Sequence, residues 1–127
     1  MTASHTILVI EDEDMIRDSL VEFLQDSGYA AIGATDGESA LALLKTTKPP
    51  PSLILLDLLM PVLDGKEFRE RQLGDPDLAT IPVIVLTAYR DAAKNARALQ
   101  VGDYLPKPLR LPALLDLVQR HCPQQGP

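Results

Sequence analysis

Continuous apolar runs alternate with amphipathic stretches along this chain. The first run, residues 6–10, is apolar and β-branched without a polar gap, which is typical of a strand covered on both faces. The residues that follow it repeat with helical spacing and form one apolar stripe: Ile16, Leu20, Phe23 and Leu24. We predict a helix here, with Asp14 as its N-cap and Gly28 at its end.

The same alternation continues to the end of the chain. We predict further strands over residues 30–34, 52–56, 83–86 and 103–105, and further helices after Asp36, over residues 66–72 and 91–100, and around Leu111, Leu114, Leu115 and Val118. Pro49, Pro50 and Pro51 stop the second helix. Pro106 indicates that the fifth strand lies at an edge, because a central strand needs the missing N–H donor.

Five strands that alternate with five helices predict one α/β domain. Such a pattern is typical of a parallel sheet between two helix layers, joined by right-handed crossovers. The chain has 127 residues, 46% of them hydrophobic, which suits a single domain with an ordinary core. We assign residues 1–5 to an N-terminal tail, 6–121 to the domain and 122–127 to a C-terminal tail. We therefore expect no attached output domain, although the last residues would also suit the start of a linker.

Charge and cysteine content exclude several classes of function. Twelve Lys and Arg against eighteen Asp and Glu give a net charge of −6, which disfavours direct binding to nucleic acid or to an acidic membrane. No run approaches the roughly 20 apolar residues of a membrane span. The single cysteine, Cys122, allows no internal disulfide and favours the cytoplasm. We predict that Cys122 is an unpaired thiol and that His5 and His121 are plain surface residues.

The polar residues that follow the predicted strands form a candidate site. In a parallel sheet, ligands bind outside the carboxyl ends of the strands, which selects Glu11, Asp12, Asp57, Thr87 and Lys107. Two carboxylates about 5 Å apart repel by roughly 3 kcal/mol, so three together call for a cation or a raised pKa. Oxygen ligands without soft donors favour Mg²⁺. With that ion and Lys107 the charges sum to zero, and such a site would accept a phosphoryl group.

Four segments in order resemble the receiver domain of bacterial two-component response regulators. They are Ile7-Leu8-Val9-Ile10-Glu11-Asp12, Leu53-Ile54-Leu55-Leu56-Asp57-Leu58-Leu59-Met60-Pro61, Pro82-Val83-Ile84-Val85-Leu86-Thr87-Ala88 and Tyr104-Leu105-Pro106-Lys107-Pro108. The resemblance extends over nearly the whole chain, residues 6–120. It implies a flavodoxin-like, doubly wound sheet of order 2-1-3-4-5 with five flanking helices.

The resemblance also implies the chemistry of the site. Asp57 would take a phosphoryl group from a phosphohistidine on a sensor histidine kinase or histidine phosphotransfer domain, in a two-component system or phosphorelay. Asp12, Asp57 and the Leu59 backbone carbonyl would bind Mg²⁺, with Mn²⁺ as a substitute, and Glu11 would act through a water. No activity is expected beyond self-catalysed phosphoryl transfer and hydrolysis of the aspartyl phosphate.

Other residues are assigned to switching by the same resemblance. Lys107 would neutralise a phosphoryl oxygen and would be oriented by a cis peptide to Pro108. Thr87 would turn its hydroxyl toward the phosphate and Tyr104 would follow inward, so that a changed surface alters binding of a downstream protein. The short segment Gly102-Asp103-Tyr104 departs from the family pattern.

Two further expectations concern the rim of the site. Leu59 and Tyr89 are bulky where the family often has polar residues, and we predict that they obstruct hydrolytic water and prolong phosphorylation. Met15, Ile16 and Leu109 could form an apolar rim where a partner helix docks; packing in the core is the alternative.

Two other functions are compatible with the sequence. One is a receiver-like module that binds partners without phosphate, which intact Asp12, Asp57, Thr87 and Lys107 disfavour. The other is a phosphohydrolase that forms an aspartyl phosphate, which usually needs a second carboxylate at the position of Leu59.

Overall fold

The computed structural model describes residues 5–57, 65–88 and 92–123. Strands and helices alternate throughout these residues. In chain order they are β1 (Thr6–Ile10), α1 (Asp14–Asp26), β2 (Ala30–Ala34), α2 (Gly37–Thr46), β3 (Leu53–Asp57), α3 (Gly65–Leu73), β4 (Val83–Ala88), α4 (Ala92–Ala98), β5 (Asp103–Lys107) and α5 (Leu111–His121).

The strands form one parallel sheet in the order β2-β1-β3-β4-β5. This order confirms the predicted flavodoxin-like fold and the edge position of β5. The register sets Ile10 beside Leu56 and Thr87 beside Pro106. The carboxyl ends of β1, β3, β4 and β5 therefore lie along one border of the sheet.

Two apolar clusters cover the two faces of this sheet. Alternate residues of β1 point to opposite faces, so Leu8 and Ile10 belong to one cluster and Ile7 and Val9 to the other. All five residues of β3 are buried. Burial on both faces explains why β1 and β3 read as unbroken apolar runs in the sequence.

The beginning of α1 differs from the prediction. Glu13, not Asp14, is the N-cap, and its side chain makes no capping hydrogen bond. Asp14 is the first helical residue, and its carboxylate accepts a hydrogen bond from Arg17 at 2.6 Å. The prediction of Gly28 at the helix end is confirmed, since Gly28 follows the C-cap Ser27 with φ 97°.

The other helices and strands match the predictions within a few residues. The Asp36 side chain caps α2 by accepting from the Ser39 N–H at 2.7 Å, as predicted. The fifth strand is longer than predicted and includes Pro106, which an edge strand tolerates. Within the described residues, α4 begins at Ala92 and ends at Ala98, inside the predicted span of residues 91–100.

The predictions for three residues near the termini need correction or extension. His121 is no plain surface residue, because its Nε2 lies 2.6 Å from Asp103 Oδ2 and links α5 to the start of β5. His5 Nδ1 lies 3.1 Å from the Ser52 hydroxyl. Cys122, assigned to the tail, is a free thiol as predicted but is fully buried in the core. Its carbonyl accepts a hydrogen bond from the Tyr29 hydroxyl at 2.7 Å.

Hydrogen bonds from the buried Gln72 and the half-buried Arg69 connect α3 to the two loops beside it. The Gln72 amide donates to the carbonyls of Leu78 and Ile81 at 3.0 and 2.9 Å. Arg69 donates to the carbonyls of Leu99 and Gln100, just after α4, at 2.9 and 2.8 Å. Burial lowers the pKa of the Arg69 guanidinium, and its hydrogen bonds to the two carbonyls compensate for the loss of solvent. The network secures the C-terminal end of α4 to α3.

Candidate functional site

Three carboxylates meet at the carboxyl ends of β1 and β3. Glu11 and Asp12 follow β1, and Asp57 is the last residue of β3. Because Ile10 is paired with Leu56, the two strand ends lie side by side. One carboxylate oxygen from each of the three residues lies within 4.8 Å of the others. The structure therefore brings together the three acids that the sequence analysis selected.

Burial of this cluster disfavours full ionisation. Glu11 and Asp57 are each only 2% exposed. The pKa of Glu11 is raised from 4.5 to about 7, mainly by burial and further by hydrogen bonding and charge repulsion from Asp57. The backbone N–H of Glu13 opposes this shift by donating to Glu11 Oε2 at 3.1 Å. Two of the three carboxylates are thus removed from solvent, and a cation would stabilise their negative charge.

Lys107 is the cationic partner of the buried Asp57. Its Nζ donates to Asp57 Oδ1 at 3.0 Å, and its side chain is 32% exposed. The register sets Lys107 beside Ala88, the last residue of β4 and the neighbour of Thr87. The peptide bond between Lys107 and Pro108 is cis, as the resemblance implied, and a second cis bond joins Lys48 to Pro49. Lys107 therefore approaches the carboxylates from the β5 side.

The donor set fits a hard divalent cation. When all three acids are ionised, the clustered carboxylates and one ammonium carry a net charge of −2, and the candidate ligand atoms are carboxylate oxygens. Such donors suit Mg²⁺, which takes one or two carboxylates and retains waters. Burial and the neighbouring Asp57 carboxylate raise the pKa of Glu11, so a cation placed among these oxygens would favour its ionised form. Asp57, Asp12 and Glu11 are the described side chains that could hold such an ion.

Thr87 and Tyr104 occupy different environments on the last two strands. Thr87 is 3% exposed near the end of β4, next to Pro106 of β5. Tyr104 is 38% exposed on the edge strand β5 and is paired with Val85. The structure thus places Thr87 at the border of the site and Tyr104 three residues before Lys107, with its ring partly in solvent.

Residues at the rim are only partly described. Leu59 and Tyr89 lie outside the described residues, so their predicted roles stay predictions. Met15 is 84% exposed and Ile16 40% exposed on the first turn of α1. Leu109 is half-buried and packs against the core. Ile16 was also expected in the apolar stripe of α1; the buried residues there are Leu20 and Leu24.

Sequence reasoning missed Arg17. Its guanidinium donates to the backbone carbonyl of Glu11 at 3.1 Å and to Asp14 at 2.6 Å. A positive residue three positions after the acidic run that ends at Asp14 could have been recognised as a possible anchor for that run. Its contact with a backbone carbonyl carries no sequence signal.

Comparison with known proteins identifies the family of this chain. Residues 7–119 match the family model described as the response regulator receiver domain. The chain belongs to the response regulator receiver domain family. The response regulator MprA of Mycobacterium sp. (strain KMS) is 38% identical over 129 residues, which cover 95% of this chain and 54% of that protein. This receiver domain thus spans about half the length of that curated relative.

Solved structures resemble this receiver domain closely. A response regulator receiver protein from Pseudomonas putida has a TM-score of 0.84 and 28% identity, covering 94% of this chain and 99% of that one. The receiver domain of sensor histidine kinase PA1611 from Pseudomonas aeruginosa PAO1 has a TM-score of 0.80 and 29% identity, covering 94% and 98% of the two chains. That structure has a magnesium ion coordinated in the active site cleft.

Family membership establishes the general function. Receiver domains are the signalling switches of two-component systems, and they bind Mg²⁺ at an acidic site. The chain is such a switch domain, and Glu11, Asp12 and Asp57 form its acidic cluster. Within the described residues, every helix is too short or too polar to cross a lipid bilayer.

Proposed function

We propose that Asp57 accepts a phosphoryl group from a phosphohistidine on a sensor histidine kinase or histidine phosphotransfer domain. The observation that carries this proposal is a buried carboxylate that ends a central strand, 3.0 Å from Lys107 Nζ and clustered with two further acids. An acid in such a place is costly to the fold unless it is used.

The phosphoryl transfer needs no reactant other than the phosphohistidine and Asp57. One carboxylate oxygen of Asp57 forms a bond to phosphorus while the bond from phosphorus to the histidine nitrogen breaks. The electron pair of that bond stays on the released ring nitrogen, and the other ring nitrogen carries a proton, so that a neutral imidazole leaves and an acyl phosphate remains on Asp57. Lys107 neutralises charge on a phosphoryl oxygen, so the protein contributes positioning and charge stabilisation.

Glu11, Asp12 and Asp57 would hold Mg²⁺ together with the Leu59 carbonyl and a water on Glu11, and Mn²⁺ could replace it. The chemistry that this ion supplies is neutralisation of negative charge as the phosphoryl group arrives. With the ion, the cluster and Lys107 sum to zero charge before transfer. After transfer the sum is about −1, which strengthens any hydrogen bond that Thr87 donates to the phosphate.

The output is a change in partner binding. A hydrogen bond made only in the phosphorylated state shifts the population between two conformations. Thr87 would provide that bond, and Tyr104 would move from its half-exposed position toward the site.

Partners would include a histidine kinase or phosphotransfer domain that docks near Met15, Ile16 and Leu109, and a downstream protein. The setting would be the cytoplasm, without direct contact to nucleic acid or membrane. Leu59 and Tyr89 would slow hydrolysis of the acyl phosphate.

Intact mass after incubation with acetyl phosphate tests the acceptor. Here the bond from phosphorus to the acetyl oxygen breaks and acetate leaves. We expect one phosphoryl adduct in the wild type with Mg²⁺, none with a chelator, and none in Asp57→Asn. The matched control is Asp116→Asn, because Asp116 is an exposed acid on α5. That control should gain the same adduct as the wild type.

Two outcomes would contradict the proposal. A folded wild type that gains no adduct would favour the module that binds partners without phosphate. Many turnovers per protein molecule on a small phosphoester would instead favour the phosphohydrolase.

A further inference from the structure

Arg17 links the first turn of α1 to the loop that carries Glu11 and Asp12. Its side chain is only 14% exposed, although the sequence places it in the acidic first turns of α1. One guanidinium nitrogen donates to the Glu11 backbone carbonyl at 3.1 Å, and the other donates to Asp14 Oδ1 at 2.6 Å. Asp14 is 77% exposed, so it orients the guanidinium from the solvent side.

The contact with Glu11 completes a set of bonds around that residue. The Glu11 N–H donates to the Ala34 carbonyl of β2 at 3.0 Å. Glu11 Oε2 accepts from the Glu13 N–H at 3.1 Å. Arg17 supplies the partner of the remaining backbone group, the carbonyl. This carbonyl belongs to the peptide unit that joins Glu11 to Asp12. The orientation of that peptide unit sets the directions in which the Glu11 and Asp12 side chains project from the backbone.

Gly33 on β2 makes room for Arg17. A Cβ atom at residue 33 would lie 2.8 Å from Arg17 Cδ and 3.0 Å from Arg17 Cγ. Real Cβ atoms essentially never approach so closely, so any larger residue would displace the arginine stem. The missing side chain at Gly33 therefore leaves the space that the Arg17 stem occupies.

We propose that Arg17, seated over Gly33 and oriented by Asp14, is a positioning residue that aligns Glu11 and Asp12 for divalent-cation binding. The inference rests on the proposed function of the acidic cluster. Arg17 acts through the backbone carbonyl of Glu11 and touches neither the cation nor the phosphoryl group. Hydrogen-bond partners behind metal ligands typically contribute about 10- to 100-fold in metal affinity.

An electrostatic role and a positioning role of Arg17 predict opposite changes in Mg²⁺ affinity when the guanidinium is removed. The guanidinium repels a cation, so a purely electrostatic role predicts tighter Mg²⁺ binding when its charge is lost. A positioning role predicts weaker binding, because the carbonyl loses its donor and the peptide unit is free to turn. The sign of the change in affinity therefore separates the two roles.

Calorimetric titration with Mg²⁺ provides the test. Arg17→Lys keeps the charge but cannot make both hydrogen bonds with the geometry of a guanidinium. Arg17→Gln removes the charge, and Gly33→Ala displaces the arginine without altering it. We expect the Mg²⁺ dissociation constant to rise about tenfold in all three variants. Hydrogen exchange of the Glu13 N–H should also become faster, because its acceptor on Glu11 is less well oriented.

Matched controls are available for both kinds of change. Arg120→Lys alters an exposed arginine on α5. Gly102→Ala adds a Cβ where no atom lies within 4 Å. Both should bind Mg²⁺ like the wild type. Circular dichroism verifies folding, and if Arg17→Gln does not fold, Arg17→Lys and Gly33→Ala decide the result.

The outcomes separate this inference from the function on which it rests. Wild-type affinity in the folded variants, or tighter binding in Arg17→Gln, would overturn the positioning role and leave the acceptor role of Asp57 intact. A wild type that neither binds Mg²⁺ nor gains an adduct would overturn both.

Discussion

The buried acids of the cluster lower the stability of the fold that contains them. Glu11 follows β1, in which residues 7–10 are apolar and fully buried, and Asp57 ends β3, whose other residues are apolar and fully buried. Removing a charged carboxylate from water costs free energy unless another group compensates. Lys107 compensates at Asp57, whereas burial and the neighbouring Asp57 carboxylate raise the pKa of Glu11. The site is therefore a source of instability in the metal-free protein.

This imbalance predicts a pH dependence of stability that depends on Glu11. Since the folded-state pKa is about 7 and the ordinary value is 4.5, the protonated acid favours the folded state. Its contribution is complete below pH 4.5 and is lost as the pH rises through 7. The shift corresponds to about 3 kcal/mol. Urea unfolding with a chelator should show that Glu11→Gln loses less stability than the wild type between pH 5 and pH 8.

The control for this experiment is Glu22→Gln on the exposed side of α1. It should lose as much stability as the wild type over the same pH range. Equal losses in Glu11→Gln and the wild type would contradict the raised pKa.

Cys122 yields a second prediction at the scale of one residue. The thiol is fully buried, and burial raises its pKa from 9.0 to about 11. The thiolate fraction near pH 8 is then about 100-fold smaller than for an ordinary thiol, and access is blocked as well. We expect a disulfide reagent to modify the native protein at least about 100-fold more slowly than the urea-unfolded chain. Similar rates in the two states would show that the C-terminal end of α5 does not remain packed.

At the scale of elements, contacts between loops and helices determine how each strand end is held. The β1 end is fixed by β2 through Ala34 and by α1 through Arg17. The start of β5 is linked to α5 by Asp103 and His121. The end of α4 is linked to α3 by Arg69. Polar side chains thus connect neighbouring elements beyond the two apolar clusters.

The Gln72 network predicts a large loss of stability from one substitution on α3. Gln72→Ala removes both hydrogen bonds that its amide makes to the carbonyls of Leu78 and Ile81. An unsatisfied buried group costs about 1–3 kcal/mol, so the loss in unfolding free energy should be about 2 to 5 kcal/mol. Urea unfolding measures it, with the exposed Gln119→Ala on α5 as the control. A loss no larger than that of the control would show that water replaces the amide.

At the scale of the whole molecule, one sheet joins the site to both layers of the core. β1 and β3 carry the clustered acids and also contribute residues to both apolar clusters. Binding at the carboxyl ends of β1 and β3 therefore affects strands that contact both layers of the core. Binding at the site should accordingly be seen in global stability.

Mg²⁺ should stabilise the complete domain against heat. An ion that binds the folded state alone adds about 2.7 kcal/mol at 100 times its dissociation constant, which for this size corresponds to roughly 10 °C in Tm. Thermal unfolding with Mg²⁺ and with chelator should show this difference in the wild type and in Asp116→Asn. The difference should be much smaller in Asp57→Asn. A Tm that Mg²⁺ leaves unchanged in the wild type would remove the acidic cluster as a metal site.

The sequence by itself was sufficient for the alternation of elements, the buried character of β1 and β3, and the edge position of β5. These follow from periodicities of a few residues and from the lost donor of Pro106. It also selected Glu11, Asp12, Asp57 and Lys107 as neighbours, because parallel strands end along one border of the sheet.

Only the tertiary structure decided the contacts that cross between elements. Arg17 reaches back to the Glu11 carbonyl over Gly33, His121 meets Asp103, and Cys122 packs inside the core instead of in a tail. The raised pKa of Glu11 likewise depends on burial that no local pattern encodes. Hydrophobic periodicity reports which face of an element is buried, whereas the partner of a polar side chain depends on the three-dimensional packing of segments distant in the chain.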